Sequence, residues 1–91
     1  MDIFEQITQH IVKEQELIIG PLAREEATRV AGLTIASDGS VAMVGDKKTM
    51  VDQLVARYER LFGRASVQVC HDAAAPLLSS LKTGETPSSL V

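Results

Sequence analysis

Apolar residues recur every three or four positions between Asp46 and Gly63, which is the spacing of one face of an α-helix. They fill an arc of roughly 140° when the segment is wound as a helix. The seven residues on this face are Met50, Val51, Leu54, Val55, Tyr58, Leu61 and Phe62. Asp46 suits the N-cap position, and Gly63 can adopt the left-handed conformation that ends a helix. We therefore predict one helix over residues 46–63, with the rest of the chain packed on its apolar face.

The N-terminal part of the chain shows the same periodicity and predicts two more helices. The first covers residues 2–19, and Gly20 and Pro21 end it. Its apolar face consists of Ile3, Phe4, Ile7, Ile11 and Ile18, with Leu17 at the edge. Because proline suits the first turn of a helix, a second, shorter helix follows over residues 21–31. The residues expected to face inward from it are Leu22, Ala23, Ala27 and Val30.

A period of two replaces the helical period in residues 33–44. Two short alternating runs flank Asp38-Gly39, a dipeptide that favours the tight turn of a β-hairpin. The residues on one face of the predicted hairpin are Leu33, Ile35, Val41 and Met43. Because an isolated two-stranded hairpin is marginally stable in water, we expect it to pack on the helices or to pair with the hairpin of a second copy.

Residues 66–81 return to helical spacing, with Pro76 in the interior, where proline bends or breaks a helix. The apolar residues at this spacing are Val67, Cys70, Ala74, Leu77 and Leu81. Two alternating valines leave a short strand over residues 65–70 as the alternative. The three-four spacing runs longer than the alternation and favours the helix.

Together these elements predict an α+β fold that is mostly helical, in the order α-α-β-β-α-α, with the hairpin packed on the helices. A chain of 91 residues is too short for two domains, so residues 1–81 form one small globular domain. Residues 82–91 are polar, contain glycine and proline, and are expected to be a disordered tail.

Residues 16–23 and 59–66 repeat one pattern. Each segment ends a helix with two apolar residues and a glycine, and small residues begin the next helix. The chain would then consist of two helix–glycine–helix units with the hairpin between them. Glycine is also the usual stop signal of a helix, so unrelated helical hairpins share this pattern. The sequence leaves duplication and coincidence open.

Composition excludes several classes of protein. A formal charge of −3 and a pI near 5.2 argue against a general nucleic-acid binder. Residues 1–31 carry six acids and three bases, whereas residues 32–64 carry five bases and four acids, so the two parts attract each other within a chain or between copies. The single cysteine fits a reducing compartment. No apolar run approaches the roughly 18 residues of a membrane span, and a cytoplasmic location is expected.

Two carboxylates fall on predicted apolar faces. Glu14 lies among the apolar residues of the first helix with His10 one turn before it, and Glu26 lies on the inner side of the second helix. A buried carboxylate without a partner is costly or becomes protonated. His10, Glu14 and Glu26 are therefore the candidate site for a cation or a small molecule. The simpler interpretation places both glutamates at the rim, or pairs them with Arg24, Arg29 or a partner's arginine.

Cys70, His71 and Asp72 include the residue types of a thiol nucleophile and its base. Neighbours on a helix point about 100° apart, so the cysteine and the histidine cannot form the hydrogen bond that activates a thiolate. Cys70 also lies in the middle of an apolar face, where a free cysteine behaves as a small apolar residue. We predict a core cysteine, no catalytic residue and no cofactor.

The remaining candidate surface lies on the helix over residues 46–63. The residues predicted for the core or a dimer seam are Met50, Leu54, Tyr58, Leu61 and Phe62. Arg57, Arg60 and Arg64 form a basic stripe suited to an acidic partner protein or to the acidic first helices of a second copy. We predict a non-enzymatic protein-interaction or regulatory module that acts as a small homodimer or adaptor. The alternative is a small-molecule or metal-binding protein, conceivably an enzyme, that uses His10, Glu14 and Glu26.

Overall fold

The computed structural model describes residues 2–81 and 84–90 and confirms the predicted fold class, an α+β fold that is mostly helical. In chain order the described elements are α1 (Ile3–Ile19), α2 (Leu22–Ala27), β1 (Leu33–Ile35), β2 (Val41–Met43), α3 (Lys47–Phe62), α4 (Arg64–Leu78) and one turn of 3₁₀ helix (Ser88–Leu90). The antiparallel hairpin β1–β2 packs against the helices, so the order α-α-β-β-α-α is as predicted.

α3 is the helix that the apolar periodicity predicted. The carboxylate of Asp46 accepts a hydrogen bond from the N–H of Thr49 at 3.3 Å and caps the first turn. At the other end Gly63 has a φ of 88°, and its N–H donates to the carbonyl of Glu59 at 2.8 Å. The buried residues of α3 are Met50, Val51, Leu54, Val55 and Tyr58. α1, α2 and α4 all contact α3, so the chain itself covers this apolar face.

α1 begins at a capping box, in which the carboxylate of Asp2 accepts the N–H of Glu5 at 2.9 Å. Its buried residues are Ile7, Thr8, Ile11, Val12 and Gln15. This face is rotated from the predicted one, because Ile18, which was placed on the buried face, is 63% exposed.

Two buried polar side chains explain the rotation of α1. The amide nitrogen of Gln15 donates to the carbonyl oxygen of Ser66 at 3.1 Å and lies 3.4 Å from the sulfur of Cys70. The hydroxyl of Thr8 donates to the sulfur of Met43 at 3.5 Å. A buried polar group is tolerated when it has a hydrogen-bond partner. α4 and β2 supply these partners, so the helix packs with its polar positions inward.

The hairpin lies over the N-terminal half of α1. Its register pairs Leu33 with Met43 and Ile35 with Val41. Leu33, Val41 and Met43 are buried and Ile35 is half-buried, as the alternation predicted. The N–H of Met43 also donates to the carboxylate of Glu5 at 3.2 Å, which ties β2 to the first turn of α1.

Residues 65–70 belong to α4, so the predicted helix is confirmed and the alternative strand is wrong. The helix continues through Pro76 for two further residues. Pro76 lies in the last turn on the exposed side, where the loss of one hydrogen bond disturbs only the helix end.

The two helix–glycine–helix units correspond position by position at a spacing of 43 residues. Gly20 and Gly63 both have positive φ, 71° and 88°, and their N–H groups donate to the carbonyls of Glu16 and Glu59 at 2.9 and 2.8 Å. The buried residues of α1 (Ile7, Thr8, Ile11, Val12, Gln15) and of α3 (Met50, Val51, Leu54, Val55, Tyr58) match one by one at this spacing. The pattern seen in the sequence therefore extends along the full length of both helices.

The two units also contact each other reciprocally. The amide of Gln15 on α1 donates to the carbonyl of Ser66 at the start of α4, and the hydroxyl of Tyr58 on α3 donates to the carbonyl of Ala23 at the start of α2 at 2.7 Å. Both donors and both acceptors are 43 residues apart. A two-fold relation between the units produces this kind of exchange. The exchange is partial, because α1 packs on α4 more extensively than α2 packs on α3, and the main cover of α3 is α4.

The C-terminal segment differs from the expected disordered tail in residues 84–90. Leu90 is 1% exposed and packs with α3 and α4. The carboxylate of Asp52 accepts the N–H of Ser89 at 2.9 Å and its hydroxyl at 2.6 Å. The polar residues of the segment make specific hydrogen bonds to α3, and its one leucine enters the core. Lys82, Thr83 and Val91 lie outside the described residues.

Docking of this segment is expected to depend on pH. Burial raises the pKa of the Asp52 carboxyl, but the hydrogen bonds from Ser89 and Ser88 together outweigh it, and the pKa lies below its usual value. A depressed folded-state pKa stabilises the docked form above the unfolded pKa of about 3.9, and this stability is lost as the pH falls through the folded-state value. We expect the NMR signals of Leu90 to stay constant above about pH 5 and to move towards solvent-exposed values at lower pH.

Asp52→Asn is the control for this titration, since the amide does not ionise in this range. The chemical shifts of Leu90 in this variant are expected not to change between about pH 5 and pH 2. A midpoint in the parent chain at or above the usual aspartate pKa would contradict the prediction.

Candidate functional site

The structure does not bring together the three residues predicted to bind a cation or a small molecule. His10 and Glu14 are exposed on α1, outside its buried face. Glu26 accepts a hydrogen bond from Nε of Arg57 at 3.0 Å, and its other oxygen lies 3.6 Å from Nε of Arg29. Within the part of the chain that the structure describes, no group of three or more His, Cys, Asp and Glu residues is placed to hold a metal ion.

Glu14 and Glu26 thus have different environments. Rotation of α1 about its axis brings Gln15 inward and turns Glu14 to solvent. The side chain of Glu26 is 12% exposed, and arginines from α3 and from the turn after α2 compensate its charge. The pairing with Arg29 agrees with the simpler of the two interpretations of the sequence, whereas the closer partner, Arg57, was not among the predicted arginines. The exposure of Glu14 corrects the expectation that it lies on an apolar face.

Most residues predicted for the core or a dimer seam lie in the core of the chain itself. Met50, Leu54 and Tyr58 are at most 4% exposed. Burial also raises the pKa of the Tyr58 hydroxyl, which keeps it neutral and able to donate its hydrogen bond. Phe62 is half-buried, and Leu61 is 47% exposed. Of this set, only the last turn of α3 reaches the surface.

The predicted basic stripe divides in the structure. The side chain of Arg57 is 25% exposed and turns towards Glu26, whereas Arg60 and Arg64 are exposed. Arg57 and Arg60 line a groove of about 440 Å³ together with Arg29. This arginine groove is lined by Arg29, Val30, Ala31, Gln53, Ala56, Arg57 and Arg60. The groove could not be predicted from helical periodicity, because Arg29 lies in a turn and shares no helical face with Arg57 and Arg60.

Four large aliphatic side chains are exposed near the glycine junctions of the two units. Leu17 and Ile18 in the last turn of α1 are 75% and 63% exposed, Leu22 at the start of α2 is 41% exposed, and Leu61 in the last turn of α3 is 47% exposed. We call these four residues the corner face. Ile18 and Leu61 are 43 residues apart and occupy equivalent places in the two units.

The reciprocal hydrogen bonds bring the two glycine junctions, at Gly20 and Gly63, to the same end of the molecule. The bond from Tyr58 to Ala23 joins the end of α3 to the start of α2, and the bond from Gln15 to Ser66 joins the end of α1 to the start of α4. Val44 is the other strongly exposed aliphatic residue among those described, at 79%. It follows β2, which is bonded to the first turn of α1, and therefore lies towards the opposite end.

The prediction of a core cysteine is confirmed. Cys70 is fully buried, and burial raises the pKa of its thiol to about 11, although the hydrogen bond from Gln15 acts in the opposite direction. The thiolate is the nucleophilic form of cysteine, so this residue is chemically inert near neutral pH. His71 and Asp72 are neighbours on α4, and Nδ1 of His71 lies 4.0 Å from Oδ1 of Asp72.

The candidate surfaces are thus the corner face and the arginine groove. None of the described helices is both long enough and apolar enough to cross a membrane. No protein-family model matches the chain, and no curated protein and no solved structure is similar to it at a significant level.

Proposed function

We propose that this protein is a non-enzymatic interaction module that pairs with a second copy of itself through the corner face. The observation that supports this proposal is the exposure of Leu17, Ile18, Leu22 and Leu61 at one end of a domain that buries its other large aliphatic residues more completely, Val44 excepted. Large apolar side chains exposed together at one end of a small domain are a candidate interaction site. The seam therefore lies at the helix ends and not along the face of α3.

The apolar residues of the corner face set the strength of this pairing. Complete burial of a leucine or isoleucine side chain contributes about 1.5–3 kcal/mol. Scaled by their exposed fractions, the four side chains contribute about 3–7 kcal/mol per copy of the face, before the cost of association. The two copies together contribute about 7–14 kcal/mol, and association costs about 4–15 kcal/mol, so the net free energy is small and we expect a reversible dimer.

Charges beside the corner face favour a second copy as the partner. Glu14 is exposed one turn before Ile18, and Arg64 is exposed three residues after Leu61. In a symmetric dimer the same surface of each subunit meets itself. In such a dimer, Glu14 of each copy faces Arg64 of the other copy. This surface is self-complementary, which agrees with the uneven distribution of charge along the sequence.

Light scattering after size-exclusion chromatography tests the proposal. We expect the parent chain to rise from its monomer mass of 9.8 kDa towards twice that mass between about 10 µM and 1 mM. A double variant, Ile18→Lys with Leu61→Lys, is expected to remain monomeric over the whole range, because two buried cations on each copy would repel and would lose their water.

Val44→Lys is the control, since it introduces a lysine at an exposed aliphatic position towards the other end of the molecule. This variant is expected to associate like the parent chain. Circular dichroism must show that all variants keep the helical content of the parent. A parent chain that stays at monomer mass up to about 1 mM, or an equal loss of association in the control, would refute the proposal.

A further inference from the structure

The arginine groove lies beside one half-buried carboxylate, that of Glu26. It lies between the outer face of α3 and the turn after α2. Nε of Arg57 donates to one oxygen of Glu26 at 3.0 Å, and Nε of Arg29 lies 3.6 Å from the other oxygen. The Glu26 side chain is 12% exposed and acts as an internal anchor for the guanidinium of Arg57, whereas the Arg29 side chain, 65% exposed, pairs with it at longer range.

The anchor leaves the terminal nitrogens of both arginines available. A guanidinium has five N–H donors, and only one of them is on Nε. Among the described residues, no hydrogen bond or ion pair involves the Nη groups of Arg29 or Arg57, and none involves the guanidinium of Arg60. The groove therefore offers several N–H donors to a ligand, and Glu26 holds one of the three arginines, Arg57, in place.

The charge of the groove selects the class of ligand. Three guanidinium groups and the carboxylate of Glu26 give a formal charge of +2. A phosphate monoester carries about −1.5 to −2 at pH 7, whereas a single carboxylate carries −1. Arginine binds phosphate oxygens through paired N–H donors.

The walls of the groove add to this selection. Val30 and Ala56 are apolar, and Gln53 adds an amide. We infer that the groove binds the phosphoryl group of an organic phosphate, whose carbon substituent lies against Val30 and Ala56. The inference does not depend on self-association, because Arg29 and Arg57 lie outside the corner face. A small metabolite and a phosphorylated side chain share this chemistry.

A titration followed by NMR tests the inference. Phenyl phosphate, which carries a phosphoryl group on an apolar ring, is added at pH 7 and low ionic strength, where charge interactions are least screened. We expect saturable shifts of the backbone amide signals of Val30, Gln53 and Ala56. Arg60→Gln is expected to weaken the affinity about tenfold, since it removes one charge-assisted contact without touching Glu26.

Lys13→Gln is the matched control, because Lys13 is also a cation, is exposed, and lies outside both the groove and the corner face. It is expected to change the affinity less than about twofold, the effect of distant charge alone. Equal weakening in both variants would show diffuse attraction to surface charge and overturn the inference. The absence of saturable shifts up to about 20 mM, a concentration at which only very weak binding escapes detection, would overturn it too.

Two further ligands identify the phosphoryl group and its source. Benzoate has the same ring with a carboxylate, and affinity equal to that of phenyl phosphate would refute the assignment of a phosphoryl site. A phosphoserine peptide that binds at least about tenfold more tightly than phenyl phosphate would support the inference and place the group on a protein. If the phosphoserine peptide binds with an affinity similar to that of phenyl phosphate, or more weakly, the result would support a site for a small organic phosphate.

Discussion

Replacement of Leu54 by alanine is expected to lower the free energy of unfolding by about 3–4 kcal/mol, within the range measured for fully buried leucines. Leu54 is 0% exposed and lies at the middle of the buried face of α3. The substitution removes apolar contacts and leaves a cavity that the surrounding helices fill only partly. A domain of this size has a total stability of about 5–13 kcal/mol, so the loss is large. Urea unfolding followed by circular dichroism measures it directly.

The internal repeat supplies a matched comparison for this variant. Ile11 is the equivalent residue of α1 and is also 0% exposed, so Ile11→Ala is expected to cost a similar amount. Leu17→Ala on the exposed side of α1 is expected to change the stability by less than about 0.5 kcal/mol when measured at low protein concentration. A loss below about 1 kcal/mol for Leu54→Ala would show that α3 is not the centre of the core.

Gly32→Ala is expected to cost at least about 3 kcal/mol of unfolding free energy, because two penalties act together. Gly32 has a φ of +86°, in the left-handed region that side chains with a Cβ rarely adopt. A Cβ at this position would also overlap the backbone carbonyl oxygen of Val44. That backbone has little freedom to move, since the N–H of Val44 donates to the carbonyl of Gly32 at 2.9 Å.

Gly63→Ala separates the two penalties. Its φ of +88° is nearly the same, but a Cβ there would meet nothing within 4 Å. This variant is expected to cost about 1–3 kcal/mol, the strain of the backbone alone. Thermal and urea unfolding of both variants provide the measurement. If Gly63→Ala proves as costly as Gly32→Ala, the close contact with Val44 does not control the junction between α2 and the hairpin.

The repeat also explains why the predicted dimer seam is a core. The sequence shows a wide apolar face on the third helix, and such a face needs cover from another helical unit. That unit is supplied by the same chain, through the reciprocal bonds of Gln15 to Ser66 and Tyr58 to Ala23. Only the ends of the helices remain uncovered, and they form the corner face.

The orientations of Arg57 and Gln15 could not be predicted from the sequence around them. Arg57 looked like part of an outer basic stripe, but Glu26 lies 31 residues away in the chain and draws it inward. Gln15 gave no signal by itself, although its alignment with Tyr58 at a spacing of 43 residues marks both as inward-facing donors. A polar residue is buried or exposed according to whether a partner lies opposite, and no local pattern contains that information.

The sequence by itself determined the four helices, the hairpin and their order. Periodicity of three to four, the caps at Asp46 and Gly63, and the alternation around Asp38-Gly39 act between neighbouring residues, so each element could be predicted from its own segment. The tertiary structure alone decided which side of α1 turns inward, which arginine pairs with Glu26, and that Leu90 enters the core. Each of these depends on groups brought together from distant parts of the chain, because a buried polar or apolar group is stabilised only by what packs against it.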